Sequence, residues 1–150
     1  MPTPDQPLLR VFFAHPKNWT DEQIDRETNA LAELFTAGVT AAARMKGKPP
    51  PRVVVISGRD DYKRAAKRAG GWKPWARSVA GPAIDGQPRF HRIVCPEEYV
   101  GRATADIVRD AITNDRPVFL LDKGRLRRIT EVRTVNPDSW VNGWRLIAAP

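Results

Sequence analysis

Apolar and polar positions along the chain change their spacing in a repeating order. "LLRVFFA" (residues 8–14) is a continuous apolar run bounded by Pro7 and Pro16, the pattern of a strand buried on both faces. From Thr20 the spacing becomes helical, with Ile24, Leu31, Leu34 and Phe35 close to one stripe. Thr20 followed by Gln23 reads as a capping box, with Asp21 and Glu22 at the positive end of the helix dipole. Arg44 and Lys46 suit its negative end, and Gly47 can terminate it.

The stiff "KPPPR" connector delivers a second buried strand, "RVVVISG", ending at Gly58. "RDDYKRAAKRAGG" predicts a short helix capped by Asp60, and "GGWKPWARSVAG" a helix or turn carrying Trp72 and Trp75. "RFHRIVCP" is a third strand. The helix "VGRATADIVRDAITN" should turn Val100, Ala103, Ile107 and Ala111 inward, and "RPVFLLD" is a fourth strand. The tail differs: "RLRRITEVRTV" and "WRLIAA", separated by "NPDSWVNG", predict an antiparallel pair or two edge strands.

Strands alternating with helices predict one α/β domain over residues 1–150: a three-layer, doubly wound, flavodoxin- or Rossmann-like fold. Its sheet is mostly parallel, with antiparallel strands at the C-terminus. Ligands of such sheets bind beyond the carboxyl ends of the strands. The residues to watch are therefore 14–17, 57–61, 96–101 and 122–124.

Composition narrows the classes. At 41% hydrophobic and 28% charged, 150 residues suffice for a globular core and do not describe a disordered tail. No apolar run approaches the roughly 20 residues that span a bilayer, and "MPTPDQP" lacks the pattern of a secretory signal, so a cytoplasmic protein is expected. One cysteine excludes an internal disulfide or a multi-cysteine metal cluster. His15 and His91 lack ligand spacing, so no metal site is implied. Neither G-x-G-x-x-G nor G-x-x-x-x-G-K-[ST] occurs, which argues against dinucleotide oxidoreductases and P-loop ATPases; no cofactor is implied.

The net charge of +8 changes the picture more. Seven Lys or Arg against two Asp lie between Arg59 and Arg77, a concentration that attracts phosphates or nucleic acid. No nucleic-acid motif accompanies it, so nucleic acid ranks behind a small ligand. Trp72 and Trp75 could stack on a base or pack a helix onto the sheet.

At the rim, His15, Pro16 and Lys17 follow the first strand, and Ser57, Gly58, Arg59, Asp60 and Asp61 the second. Glu97, Glu98 and Tyr99 follow the third. Carboxylates accept from sugar hydroxyls and cations hold a phosphate, so this set suits a ribose or nucleotide. A helix cap accounts better for Asp60 than catalysis does, the helix dipole favours Glu97 and Glu98 without any ligand, and a carbonyl of the preceding turn can satisfy Thr104. Asp106 lies past the best capping positions; on a face turned to the crevice it would be partly desolvated.

"FFAHP" on the first strand, an acid-containing loop after the second, and Gly101, Thr104, Ala105 and Asp106 leading to Arg116-Pro117-Val118 resemble the nucleoside 2-deoxyribosyltransferase family and related nucleotide N-glycosidases. The resemblance implies displacement at the anomeric carbon of a nucleoside or nucleotide. It makes Asp106 or Glu98 the nucleophile or stabiliser, and Arg59, Lys17 or Arg102 the phosphate ligand. It also implies a homo-oligomer, with the C-terminal strands and Trp140 and Trp144 as one candidate surface. The family carries one further residue and a Glu where this chain has Asp106 directly after Ala105. That difference supports the alternative, a nucleotide sensor or sequestering module without turnover.

Overall fold

The computed structural model describes residues 7–150. Its elements are β1 (Leu8–Phe13), α1 (Asp21–Met45), β2 (Arg52–Ser57), α2 (Gly58–Ala69), α3 (Trp72–Val79), β3 (Arg92–Cys95), β4 (Tyr99–Val100), α4 (Arg102–Thr113), β5 (Val118–Asp122), β6 (Arg125–Thr134) and β7 (Trp144–Ala148). They form an α/β fold around one seven-stranded mixed sheet, in the order β2-β1-β3-β5-β6-β7-β4. The first four strands of that order pair in parallel, and the remainder are antiparallel.

Alternation along β1 sorts the core into two clusters, because successive strand side chains point to opposite faces. Val11 and Phe13 join Val94 of β3 and Leu31 and Phe35 of α1. Phe12 and Ala14 join Ala66 of α2, Trp75 and Val79 of α3, and Ala105, Ile107, Val108 and Ala111 of α4.

Local chemistry sets the helix ends. Thr20 Oγ1 accepts the N–H of Gln23 at 3.1 Å, starting α1 where the capping pattern places it. Gly47, at φ 63°, leads the chain out of α1 in the left-handed region that glycine tolerates. Leu34 departs from the expected stripe: it is exposed, and the inward face is Ile24, Leu31 and Phe35.

Three other expectations are corrected. The cap of α2 is Ser57, not Asp60: the chain passes from strand to helix without a loop, and Ser57 Oγ accepts the N–H of Asp60 at 3.1 Å. β2 lies at the sheet edge, with Arg52 exposed, residues 53–56 half-buried and only Ser57 buried. In α4 the inward residues are Ala105, Ile107, Val108 and Ala111, so Ala103 is displaced from the core face, while Val100 is buried as expected but from β4.

Candidate functional site

The carboxyl ends of β1 and β2 bring His15, Ser57, Gly58, Arg59 and Asp60 together, and the contacts among them are structural. His15 Nε2 accepts the backbone N–H of Arg59 at 3.1 Å, so the ring hydrogen sits on Nδ1 and is donated to the carbonyl of Pro16 at 2.9 Å. Burial, followed by the field of Arg59, pushes the His15 pKa down, and the ring stacks on Trp19 at 6.0 Å. Gly58 fits beneath it; a Cβ there would meet the ring of Phe12 at 3.5 Å and the carbonyl of Phe13 at 3.6 Å.

Arg59 turns away from the rim centre toward α1. Its guanidinium donates to Asp21 at 2.8 Å, Asp25 at 2.7 Å and Asp60 at 3.0 Å. Those bonds raise its pKa further, Asp60 contributing most, and Arg59 in turn holds the Asp60 carboxyl below its ordinary range. The first amides of α2 are thus taken by His15 and Ser57, and its leading cation by three acids. Lys17 is exposed and Pro16 half-buried.

Asp61 goes inward. At 4% exposure it accepts from Trp75 Nε1 at 2.8 Å, and its two oxygens accept from Arg89 Nη2 at 2.6 and 2.7 Å. Arg89 Nη1 donates onward to Ser78 at 2.5 Å. The carboxylate therefore ties α2, α3 and the segment before β3 together. Trp75 packs in the core, while Trp72 stays partly exposed.

The other predicted residues gather at the start of α4. Gly101 is its N-cap and supplies no side-chain hydrogen bond, and the first turn contains no acid. Asp106 lies 3.8 Å from Arg102 one turn earlier, and Thr104 is half-buried between them in sequence. Glu98 sits 3.4 Å from Arg145 of β7, whose guanidinium also lies 5.9 Å from the Tyr99 ring centroid. The loop before β7 closes on this point: a Cβ on Gly101 would collide with the carbonyl oxygen of Trp140 and come within 3.4 Å of that of Val141. Glu97 is exposed.

Two groups result. Among the described residues no hydrogen bond, ion pair or ring contact joins 98–106 to 15–17 or 57–61, and α3 packs between α2 and α4. Sequence reasoning missed Arg145, which β7 brings beside Glu98, and Arg89, which reaches Asp61 across 28 residues. Cys95 is buried and its thiol is pushed up to about 12, which removes it as a nucleophile. Among the described residues no helix is long and apolar enough to cross a membrane. Compared with known protein families, curated proteins and solved structures, the chain matches none.

Proposed function

We propose that this chain is a nucleoside- or nucleotide-binding domain whose ligand sits over the start of α4. The observation that carries the reading is the contrast between two helix starts on the same sheet. Side chains plug the first turn of α2, whereas α4, like α3, starts on a glycine with no side-chain cap and no acid in its first turn, with the carbonyls of Trp140 and Val141 lying against that glycine of α4. Helix starts of that second kind favour anions.

Arg102 and Arg145 flank the position and suit a phosphate. Tyr99 and Trp140 are exposed aromatics on the segments beside it, suited to stacking on a base. Glu98 and Asp106 suit ribose hydroxyls. The separation of the two core clusters supports the finer assignment of the fold as three-layer and doubly wound.

Binding without turnover is the reading that the ion pairs favour, because Arg102 and Arg145 each already hold one of the two acids. The deoxyribosyltransferase resemblance supplies the catalytic version, in which Asp106 attacks the anomeric carbon and Glu98 assists. Incubating the protein with a panel of nucleosides and nucleoside monophosphates, then chromatographing for free base, separates them. Saturable binding without product is expected; base release would replace the sensor with an N-glycosidase or transferase. Absence of binding by every member would overturn both. A second copy of the chain would complete the site through exposed Trp140 and Val141.

One observation favours a second reading. Lys63, Arg64, Lys67 and Arg68 are exposed on α2 and form no ion pair within 4 Å among the described residues, although Lys63 lies in the field of Asp60. Such a stripe suits nucleic acid, with binding that falls steeply as salt rises.

A further inference from the structure

An open hollow of about 340 Å³ lies at the opposite end of the sheet from the rim, at the amino ends of β3 and β5. Pro82, Pro88 and Pro117 form stiff apolar walls, and His91, Arg92 and Arg116 supply the polar groups. Its charge is unbalanced. Among the described residues neither Arg92 nor Arg116 has a carboxylate partner, nor do the neighbouring Arg10 and Arg128. Asp115, the one acid in the lining, is exposed.

Arg116 is the informative group. It is 7% exposed; its Nη2 donates to the Gly81 carbonyl, while its Nη1 is buried with no acceptor. Withdrawing a guanidinium from water costs several kcal/mol unless an anion or full hydrogen bonding offsets it. A buried donor left unmatched beside this space calls for a missing partner, and because Nη1 is itself out of contact with the open space, a ligand reaches it only with a shift of the Arg116 side chain. Arg92 is half-buried, and its Nη1 donates to the His91 carbonyl at 2.8 Å. His91 Nδ1 accepts the backbone N–H of Arg10 at 2.9 Å, so its hydrogen is on Nε2 and that nitrogen is a donor.

The electrostatics run the same way. Burial lowers the pKa of His91, Arg92 and Arg116, and the further influences on His91 are Arg10, Arg92 and Arg116, all cations. Asn114 donates to the Ala80 carbonyl at 2.9 Å, so it and Arg116 clamp the 80–82 wall to the end of α4.

We infer that this cavity is a binding site for a small phosphate monoester, its phosphate held by Arg92 and Arg116 and its carbon body against the proline walls. Two uncompensated guanidinium groups match a group carrying about −1.5 to −2 charges at neutral pH. The volume is at the low end for small-ligand cavities, which start at roughly 300 Å³. The site is independent of the α4 rim.

The protein's two histidines make the test direct, since His15 and His91 lie at opposite ends of β1 and its neighbours. Phenyl phosphate and inorganic phosphate, titrated at low ionic strength, should shift the His91 imidazole NMR signal saturably and leave that of His15 in place. Benzoate, a monoanion of similar shape, should bind about tenfold or more weakly. Arg92→Gln should weaken phenyl phosphate by about tenfold or more, and Arg26→Gln, which removes an exposed cation of α1 outside both sites, should not change it. Arg116→Met should do at least as much as Arg92→Gln, with the His15 signal confirming its fold; Arg92→Gln decides the matter where Arg116→Met does not fold. The inference is overturned by any of three results: no saturable His91 shift with either phosphate, an undiminished shift in Arg92→Gln, or benzoate binding as tightly as phenyl phosphate.

Discussion

His15 Nε2 accepts the backbone N–H of Arg59 at 3.1 Å, joining the end of β1 to the first turn of α2 across 44 residues of chain. The bond needs a neutral ring, and burial holds the folded pKa of His15 below 6.5. The unfolded chain therefore binds the proton more readily, and stability rises with pH across the interval between the two pKa values. Stability is full above the unfolded value and declines as pH falls below 6.5; His91, also lowered, adds the same sign. Urea midpoints should drop between about pH 7.5 and 5. His15→Gln should flatten part of that slope. A midpoint independent of pH over this interval would refute the assignment.

Asp61 binds Trp75 and Arg89 from a nearly dry position, so its removal strands a cation and an indole N–H together. Asp61→Ala should cost about 2–4 kcal/mol, the size expected when one partner of a largely buried pair is deleted and the other keeps some access to water. Asp61→Asn should cost less, since it retains one acceptor. Denaturant unfolding of both variants measures the difference; equal, near-zero losses would show that the network contributes nothing.

The elements with regular patterns were legible in sequence, and the site was legible only in part. β1, α1, α4, β5 and the β6–β7 pair follow from apolar spacing and caps that lie within a few residues of one another. β4 escaped notice because two residues carry no period, yet it is what places Glu98 beside Arg145. Asp61 and Arg59 read as rim groups because their partners are distant in sequence: Arg89 for the one, Asp21 and Asp25 for the other. Asp106 follows from a smaller rotation. With Ala105 and Val108 inward in place of Ala103, its carboxylate falls on the flank of α4 beside Arg102. Nothing in the spacing of His91, Arg92 and Arg116 discloses a cavity, because parallel pairing of β3 and β5 brings them together.

Gly101 and Gly38 should respond oppositely to alanine. A Cβ at Gly101 meets the carbonyl oxygen of Trp140, in a mostly exposed 136–143 loop held by the N–H groups of Val135 and Asn136 donating to the Gly143 carbonyl and that of Ser139 to the Asn136 carbonyl. Gly101→Ala should therefore destabilise by about 1–3 kcal/mol. Gly38 lies inside α1 with nothing within 4 Å of an added Cβ. Gly38→Ala should stabilise by about 0.5–1 kcal/mol through the reduced freedom of the unfolded chain. Thermal unfolding of the pair reads both signs, and a stabilising Gly101→Ala would mean that the loop is free to move off α4.

Arg102 and Asp106 lie 3.8 Å apart at the proposed nucleotide site, and their coupling separates phosphate recognition from ribose recognition. Arg102→Gln removes a cation from the start of α4 and also releases the charge of Asp106, so both changes oppose a phosphate. A nucleoside monophosphate should bind about tenfold more weakly, while the matching nucleoside changes by less than about twofold. Asp106→Asn acts in the reverse order: it frees Arg102 for the phosphate and weakens the grip on ribose hydroxyls. The double variant should recover part of the loss from Arg102→Gln, because the released carboxylate is gone. Calorimetric titration of the two ligands against the three variants supplies the cycle. Equal losses for nucleoside and nucleotide in Arg102→Gln would remove the phosphate from this end of α4, and base release by the wild type that vanishes in Asp106→Asn would make the acid a nucleophile.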